Sequence, residues 1–222
     1  MSTVAENFKK VLAEIESVRR LEPVTLIAVT KNHSVELMQE VIDAGAKNIG
    51  ENRVQEAAEK FQTLNREVTK HLIGHLQTNK VKQAVKLFDL IQSVDSEHLA
   101  VAIDKAASSI NKVQEILIQV NLAKEDSKSG VYAENLQDLI LKVDALKNIK
   151  LRGLMMIAPN FDDVENCRVL FRQMRKIFDE IKSNRKDFDF LSMGMTHDFK
   201  IAVEEGANLV RIGTAIFGER IY

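Results

Sequence analysis

Apolar residues at Val4, Phe8, Val11, Leu12, Ile15 and Val18 recur at helical spacing with charged residues between them, which predicts an amphipathic helix over 2–20. Pro23 closes it. Residues 24–30 then form a nearly unbroken, β-branched apolar run, as in a strand covered on both faces. Ser34 has the character of an N-cap for a helix over 35–44, and Gly45 that of the C′ residue ending it. The alternation continues along the chain. Short apolar runs lie near 49–50, 72–74, 90–91, 116–120, 151–157, 190–191 and 209–212, and helical patterns fill 54–64, 81–88, 98–107, 135–146, 167–181 and 199–204.

Counting 24–30, this gives eight strand candidates, each but the last followed by a helix candidate. At roughly 28 residues per unit the pattern predicts an α/β protein, a single (β/α)8 TIM-type barrel over 1–222. The segment 1–20 is then an extra N-terminal helix, bracing the side that a truncated final helix leaves open. A doubly wound open sheet is the competing α/β arrangement. Closure is favoured by a faint repeat: 43–50 and 205–213 each read as a helix end, a Gly-Ala joint, a strand and a terminal glycine.

Composition narrows the picture. The 31 Lys and Arg against 32 Asp and Glu give a net charge of −1, so no basic excess exists to hold a nucleic-acid backbone. A single cysteine, Cys167, excludes an intramolecular disulfide framework and multi-cysteine metal sites. With no long apolar span and no signal-peptide pattern at the start, a cytoplasmic location is expected. Two prolines and nine glycines leave little room for linkers or a turn-rich all-β fold.

In a parallel α/β protein the chemistry sits where strands end. Gly50, Gly74, Gly194 and Gly213 all fall there, either opening room for a ligand or simply making turns. Thr25, Ile27, Val29 and Lys31 share a face, so Lys31 continues an apolar row to the barrel mouth. Desolvation there would favour a neutral amine able to form an imine with a carbonyl. Arg211 shares a face with Leu209 and Gly213 on an otherwise apolar strand, and a buried cation needs an acceptor, either a structural carboxylate or a ligand atom. Gly213, Thr214 and Ser192 stand where barrels commonly hold a phosphate, after strands seven and eight. Lysine, arginine and a phosphate cup together suit a phosphorylated aldehyde, with pyridoxal 5′-phosphate the leading candidate.

At these residues the sequence resembles the pyridoxal phosphate homeostasis protein family, whose barrel is similar to the N-terminal domain of alanine racemase. The motifs are AVTK at 28–31, GENRVQE at 50–56, HLIGHLQTNK at 71–80, SKSG at 127–130, LRGLM at 151–155, LSMGM at 191–195 and VRIGTAIFG at 210–218. The resemblance implies that Lys31 holds the cofactor as a Schiff base, that Arg211 faces the pyridine nitrogen, and that Ser192, Gly213 and Thr214 hold the phosphate. It also implies that Asn52 lies near the ring. The departures are local: Asn32-His33-Ser34 replaces Thr-Lys-Pro, Lys70 stands for an aromatic, Arg53 for tyrosine, and Met195-Thr196-His197-Asp198 for Met-Ser-x-Asp.

A non-catalytic carrier is expected rather than an enzyme. Arginine at the pyridine nitrogen makes a poor electron sink. The resemblance to alanine racemase implies that racemisation also needs a tyrosine from a further β-domain, whereas this sequence has only Tyr132 and Tyr222 and no length for that domain. The alternatives are a pyridoxal-phosphate-dependent racemase or related enzyme, and an aldolase using Lys31 directly on a sugar phosphate. Expected partners are the cofactor and client enzymes that depend on it, with no nucleic acid, membrane or metal, and the protein is expected to be a monomer. His71 and His75 lack companion ligands, Lys80, Lys82 and Lys86 read as a solvated face, and the polar loop 124–130 is open to either a ligand or a client.

Overall fold

The first segment folds as helix α1 (Val4–Val18), and it begins on a capping box. The Thr3 hydroxyl accepts the Glu6 N–H at 3.2 Å, and the Glu6 carboxylate accepts the Thr3 N–H at 2.8 Å. Two donors that a helix start leaves unpaired are thereby satisfied. Val4, Phe8, Val11 and Ile15 form its buried stripe. The computed structural model describes residues 3–19, 22–125 and 128–218; Ser2, Arg20, Ser127 and Tyr222 lie outside the described residues.

The chain then alternates as β1 (Thr25–Val29), α2 (Val35–Asp43), β2 (Asn48–Glu51), α3 (Val54–Thr63), β3 (Thr69–Leu72), α4 (Val81–Leu87), β4 (Leu90–Val94), α5 (Glu97–Ser108) and β5 (Gln114–Val120). It continues as α6 (Leu136–Asp144), β6 (Ile149–Met156), α7 (Cys167–Lys182), β7 (Phe190–Ser192), α8 (Phe199–Glu204), β8 (Leu209–Ile212) and α9 (Thr214–Phe217). Neighbouring strands pair in parallel, and β8 returns to β1 from Thr25↔Leu209 to Ala28↔Ile212. The sheet is therefore a closed barrel rather than the open alternative, and it has no free edge.

Side chains alternate between two compartments. The outer one, between strands and helices, takes Leu26, Ala28, Leu72, Ile91, Ile116 and Val210 from the sheet and Phe88, Phe171 and Phe178 from the surrounding elements. Inside the barrel a smaller cluster of Leu90, Leu117 and Met155, with Phe190 and Ile157 against it, forms an apolar plug. Polar side chains that share this interior are costly to bury unless they find partners there.

The faint repeat is real local structure. After α2, Gly45 takes φ +112 and the Ala46 N–H returns to the Val41 carbonyl; after α8, Gly206 takes φ +93 and the Ala207 N–H returns to Ala202. Both are Schellman ends, in which glycine occupies the left-handed position and the next residue feeds a buried strand. The last helix, α9, has four residues. Helix α1 packs on α2, α8 and α9, and the Asn7 side-chain amide donates to the Ile216 carbonyl at 3.0 Å. Among the described residues no helix is long and apolar enough to cross a membrane.

Candidate functional site

Lys31 follows β1 in a turn whose form is set by its neighbours. The His33 N–H returns to the Thr30 carbonyl at 3.1 Å, and Asn32 adopts φ +61, a left-handed conformation that asparagine tolerates. The turn is tied from behind by Lys60 of α3. Its ammonium donates to the Thr30 carbonyl at 2.8 Å, to Glu51 Oε1 at 2.9 Å and to Glu56 Oε1 at 2.5 Å. Those three acceptors use all three ammonium donors. The Thr30 hydroxyl donates to Glu51 Oε1 at 2.7 Å, and the Asn32 N–H donates to Glu56 Oε1 at 2.5 Å. The residues on either side of Lys31 are thus fixed to one ionic cluster. Glu51 within it is fully buried, and burial pushes its carboxyl above the usual range.

Arg211, on β8, is supported differently. It is 3% exposed, and among the described residues the Asp198 carboxylate acts on it through space without a direct hydrogen bond. Instead Nη1 donates to Ser192 Oγ at 2.5 Å and Nη2 to the Met156 carbonyl at 2.8 Å. Ser192 Oγ donates onward to Gln92 Oε1 at 2.7 Å. Gln92 Nε2 lies 3.1 Å from His71 Nδ1, and His71 Nε2 lies 3.0 Å from Asn48 Oδ1. Five side chains from β8, β7, β4, β3 and β2 therefore form one chain of hydrogen bonds across the barrel. Burial pushes the His71 imidazole down to about 3, so it is neutral. Burial lowers the Arg211 guanidinium to about 10, opposed by the Asp198 carboxylate, and leaves it a cation at neutral pH.

Lys31 and Arg211 both open on one pocket of about 260 Å³ at the C-terminal end of the barrel, lined also by Val29, His33, Asn52, Ile73 and Ile157, and by Met195, Thr196, His197, Gly213 and Thr214. Asn52 Oδ1 is buried there without a hydrogen-bond partner. A Cβ on Gly74 would stand 2.3 Å from the Asn52 carbonyl oxygen and 2.7 Å from its Cα, so only glycine lets the chain pass beneath Asn52. After β7, Asp198 Oδ1 accepts the Met195 N–H at 2.6 Å and the Phe199 N–H returns to the Met195 carbonyl at 2.8 Å. That tight turn presents Thr196 and His197 to the pocket.

Of the residues expected at the site, Lys31, Asn52, Arg211, Gly213 and Thr214 line this pocket. Ser192, expected at a phosphate, is placed elsewhere. It pairs in register with Leu209, two residues below Arg211, is fully buried, and spends its hydroxyl on Gln92 and Arg211. Thr196, which stands at the serine of the Met-Ser-x-Asp pattern, is the hydroxyl that reaches the pocket from this segment. Of the strand-end glycines, Gly213 lines the pocket. The space beside Gly50, Gly74 and Gly194 is instead taken by Ile27, the Asn52 backbone and Ala202.

The alanine racemase N-terminal domain family matches residues 3–221. The chain is 44% identical over 199 residues to the pyridoxal phosphate homeostasis protein of Aquifex aeolicus (strain VF5), covering 89% of this chain and 87% of that protein. It is 37% identical over 230 residues to the protein of the same name from Pasteurella multocida (strain Pm70), covering 99% of each. Among solved structures, PipY of Synechococcus elongatus PCC7942 with PLP bound is similar at TM-score 0.87 and 36% identity, over 97% of this chain and all of that one. An alanine racemase of Clostridium difficile 630 shares the fold at TM-score 0.73 and 17% identity, over 97% of this chain and 57% of that one.

Proposed function

The chain belongs to the alanine racemase N-terminal domain family and, within it, to the pyridoxal phosphate homeostasis proteins, and from that premise we propose that it binds pyridoxal 5′-phosphate, linked to Lys31, and serves the cell's handling of that cofactor without turning over a substrate. One observation carries the proposal: a lysine and a buried arginine without a carboxylate partner line the same small pocket with Asn52, Gly213 and Thr214.

The residues fit the group. Asn52 Oδ1 is a buried acceptor that a ligand donor would satisfy. Arg211 has five N–H donors, and its two assigned bonds leave others for an acceptor such as a pyridine nitrogen. The Thr196 and Thr214 hydroxyls and the backbone at Gly213 are the groups that would hold a phosphate. When bound, the cofactor supplies an aldehyde for covalent attachment and, in enzymes, an electron sink. Arg211 opposes the second role, because a permanent donor at the ring nitrogen keeps a proton from settling there. Under this proposal a single barrel domain works as a cytoplasmic monomer and passes cofactor to the enzymes that need it.

The test is the visible spectrum of the purified protein incubated with pyridoxal phosphate, before and after borohydride, followed by peptide mapping. The expected adduct is on Lys31; a reduced adduct on another lysine would refute the assignment. A racemase is the second reading, favoured by His33 and His197 lining the same pocket, where they could move protons. Rapid α-deuterium incorporation into an amino acid mixed with the loaded protein in deuterated water would establish that reading in place of the carrier.

A further inference from the structure

The hydrogen bonds beneath Arg211 admit one polarity. A guanidinium only donates, so Ser192 Oγ accepts from Arg211 and its own proton goes to Gln92 Oε1. The Gln92 amide nitrogen only donates, so the His71 nitrogen facing it, Nδ1, carries no proton. The single ring proton of a neutral His71 is then on Nε2, donated to Asn48 Oδ1. Every donor in the chain points away from Arg211, and every acceptor toward it.

We propose that Gln92 and His71 are positioning residues that hold the Arg211 guanidinium toward the pocket through the Ser192 hydroxyl. The inference rests on the reading of that pocket as a pyridoxal phosphate site. Neither Gln92 nor His71 lines the pocket, and both are buried. What they supply is orientation. If the His71 proton moved to Nδ1, the Gln92 amide would have to rotate and present its nitrogen to Ser192. The hydroxyl would then face donors from both Gln92 and Arg211, and its own proton would lose Gln92 Oε1 as acceptor. The ring tautomer at one side of the barrel is therefore linked to the acceptor that fixes Arg211 at the other. Dipoles aligned in this way also stabilise a buried cation without a carboxylate, so Arg211 keeps its free N–H edge for a ligand rather than for an ion pair.

The first arm of the test uses cofactor-free, 15N-labelled full chain. The expected His71 signals are those of the Nε2–H tautomer, and the Arg211 Nε–H signal is expected to move on Gln92→Met. An Nδ1–H tautomer, or an Arg211 signal unmoved in a folded Gln92→Met protein, would overturn the proposal. The second arm follows the release rate and the visible band of bound pyridoxal phosphate in Gln92→Met, Ser192→Ala and the double variant. Each single change is expected to speed release by about tenfold and to shift the band in the same sense. The double variant is expected to be no worse than Ser192→Ala, because both changes act through one hydroxyl. Effects that simply multiply would show Gln92 acting by another route and sink the idea. Wild-type protein that retains no pyridoxal phosphate would refute the site reading alone, and the first arm would still decide the hydrogen-bond chain.

Discussion

Lys31 and Arg211 reach one pocket from neighbouring strands, β1 and β8, yet what stands behind them differs in kind. The Lys31 turn is strapped to an ionic cluster of Lys60, Glu51 and Glu56 in the layer between the barrel and α3, with side-chain exposures of 11% for Lys60 and none for Glu51. Arg211 is held inside the barrel by hydrogen bonds to neutral groups, with the Asp198 carboxylate acting on it through space. The difference follows from the task of each residue. A carboxylate against Arg211 would occupy the donors that a ligand needs, whereas Lys31 needs a backbone fixed on both sides. The cluster holds the Lys31 turn at the Thr30 carbonyl and the Asn32 N–H, one on each side of the lysine.

The sharpest way to break the comparison is to remove the centre of the ionic side. Lys60→Met strands two carboxylates around Thr30 and is expected to cost about 3–5 kcal/mol in urea unfolding, as for a buried pair that loses one partner. A loss below about 1 kcal/mol would mean that the cluster is solvated and does not anchor the turn.

The neutral side is tested by pH. His71 titrates at about 3 in the folded protein, against about 6.5 when unfolded. Between those values the unfolded chain binds a proton that the native state refuses, so stability falls as pH drops, by about 1.4 kcal/mol per pH unit from this group. Glu51 and Asp198, whose carboxyls burial pushes up, act in the opposite sense at acid pH. The measurement is therefore the stability gap between wild type and His71→Gln, expected to narrow steadily from about pH 6.5 to about pH 4.5. A gap independent of pH would mean that His71 is charged or solvent-accessible.

Smaller changes refine the picture. Thr30→Val removes one donor to Glu51 and is expected to cost about 1–2 kcal/mol with the Lys31 turn otherwise kept. Asn32→Gly preserves the N–H bond to Glu56 and relieves the left-handed backbone, which offsets the added freedom of glycine in the unfolded chain. Its thermal midpoint is expected to match wild type within a degree or two, which corresponds to about 0.5 kcal/mol or less. A large drop would place the importance of Asn32 in its side chain.

The order of strands and helices was legible because each barrel strand is covered on both faces and each helix on one, so two periods alternate cleanly in the sequence. Lys31, Arg211, Gly213 and Thr214 could be placed at one mouth from the strand ends alone, whereas Asn52 was expected there only through the family resemblance. Ser192 reads as a strand end because it follows an apolar run, while its register with Leu209 sets it a layer below Arg211. Thr196 carried a readable signal, a hydroxyl in place of the Met-Ser-x-Asp serine. The chain from Asn48 to Arg211 carried none, since its members are separated by 163 residues in all and meet only when the barrel closes. Nothing local marks Gln92 as different from any other glutamine.

Closure also has a history within each molecule. The buried stripe of α1, Val4, Phe8, Val11 and Ile15, leans on α8 and α9 as well as on α2, and β1 takes β8 as one of its two partners. A ribosome delivers α1 and β1 well before β8 and α9. Until β8 and α9 emerge, the nascent chain therefore carries a partly uncovered apolar helix and an unpaired strand edge, the two features that chaperones recognise and that aggregation exploits. Closure of the barrel removes both at once, so elements that emerge late are the ones that make earlier ones safe.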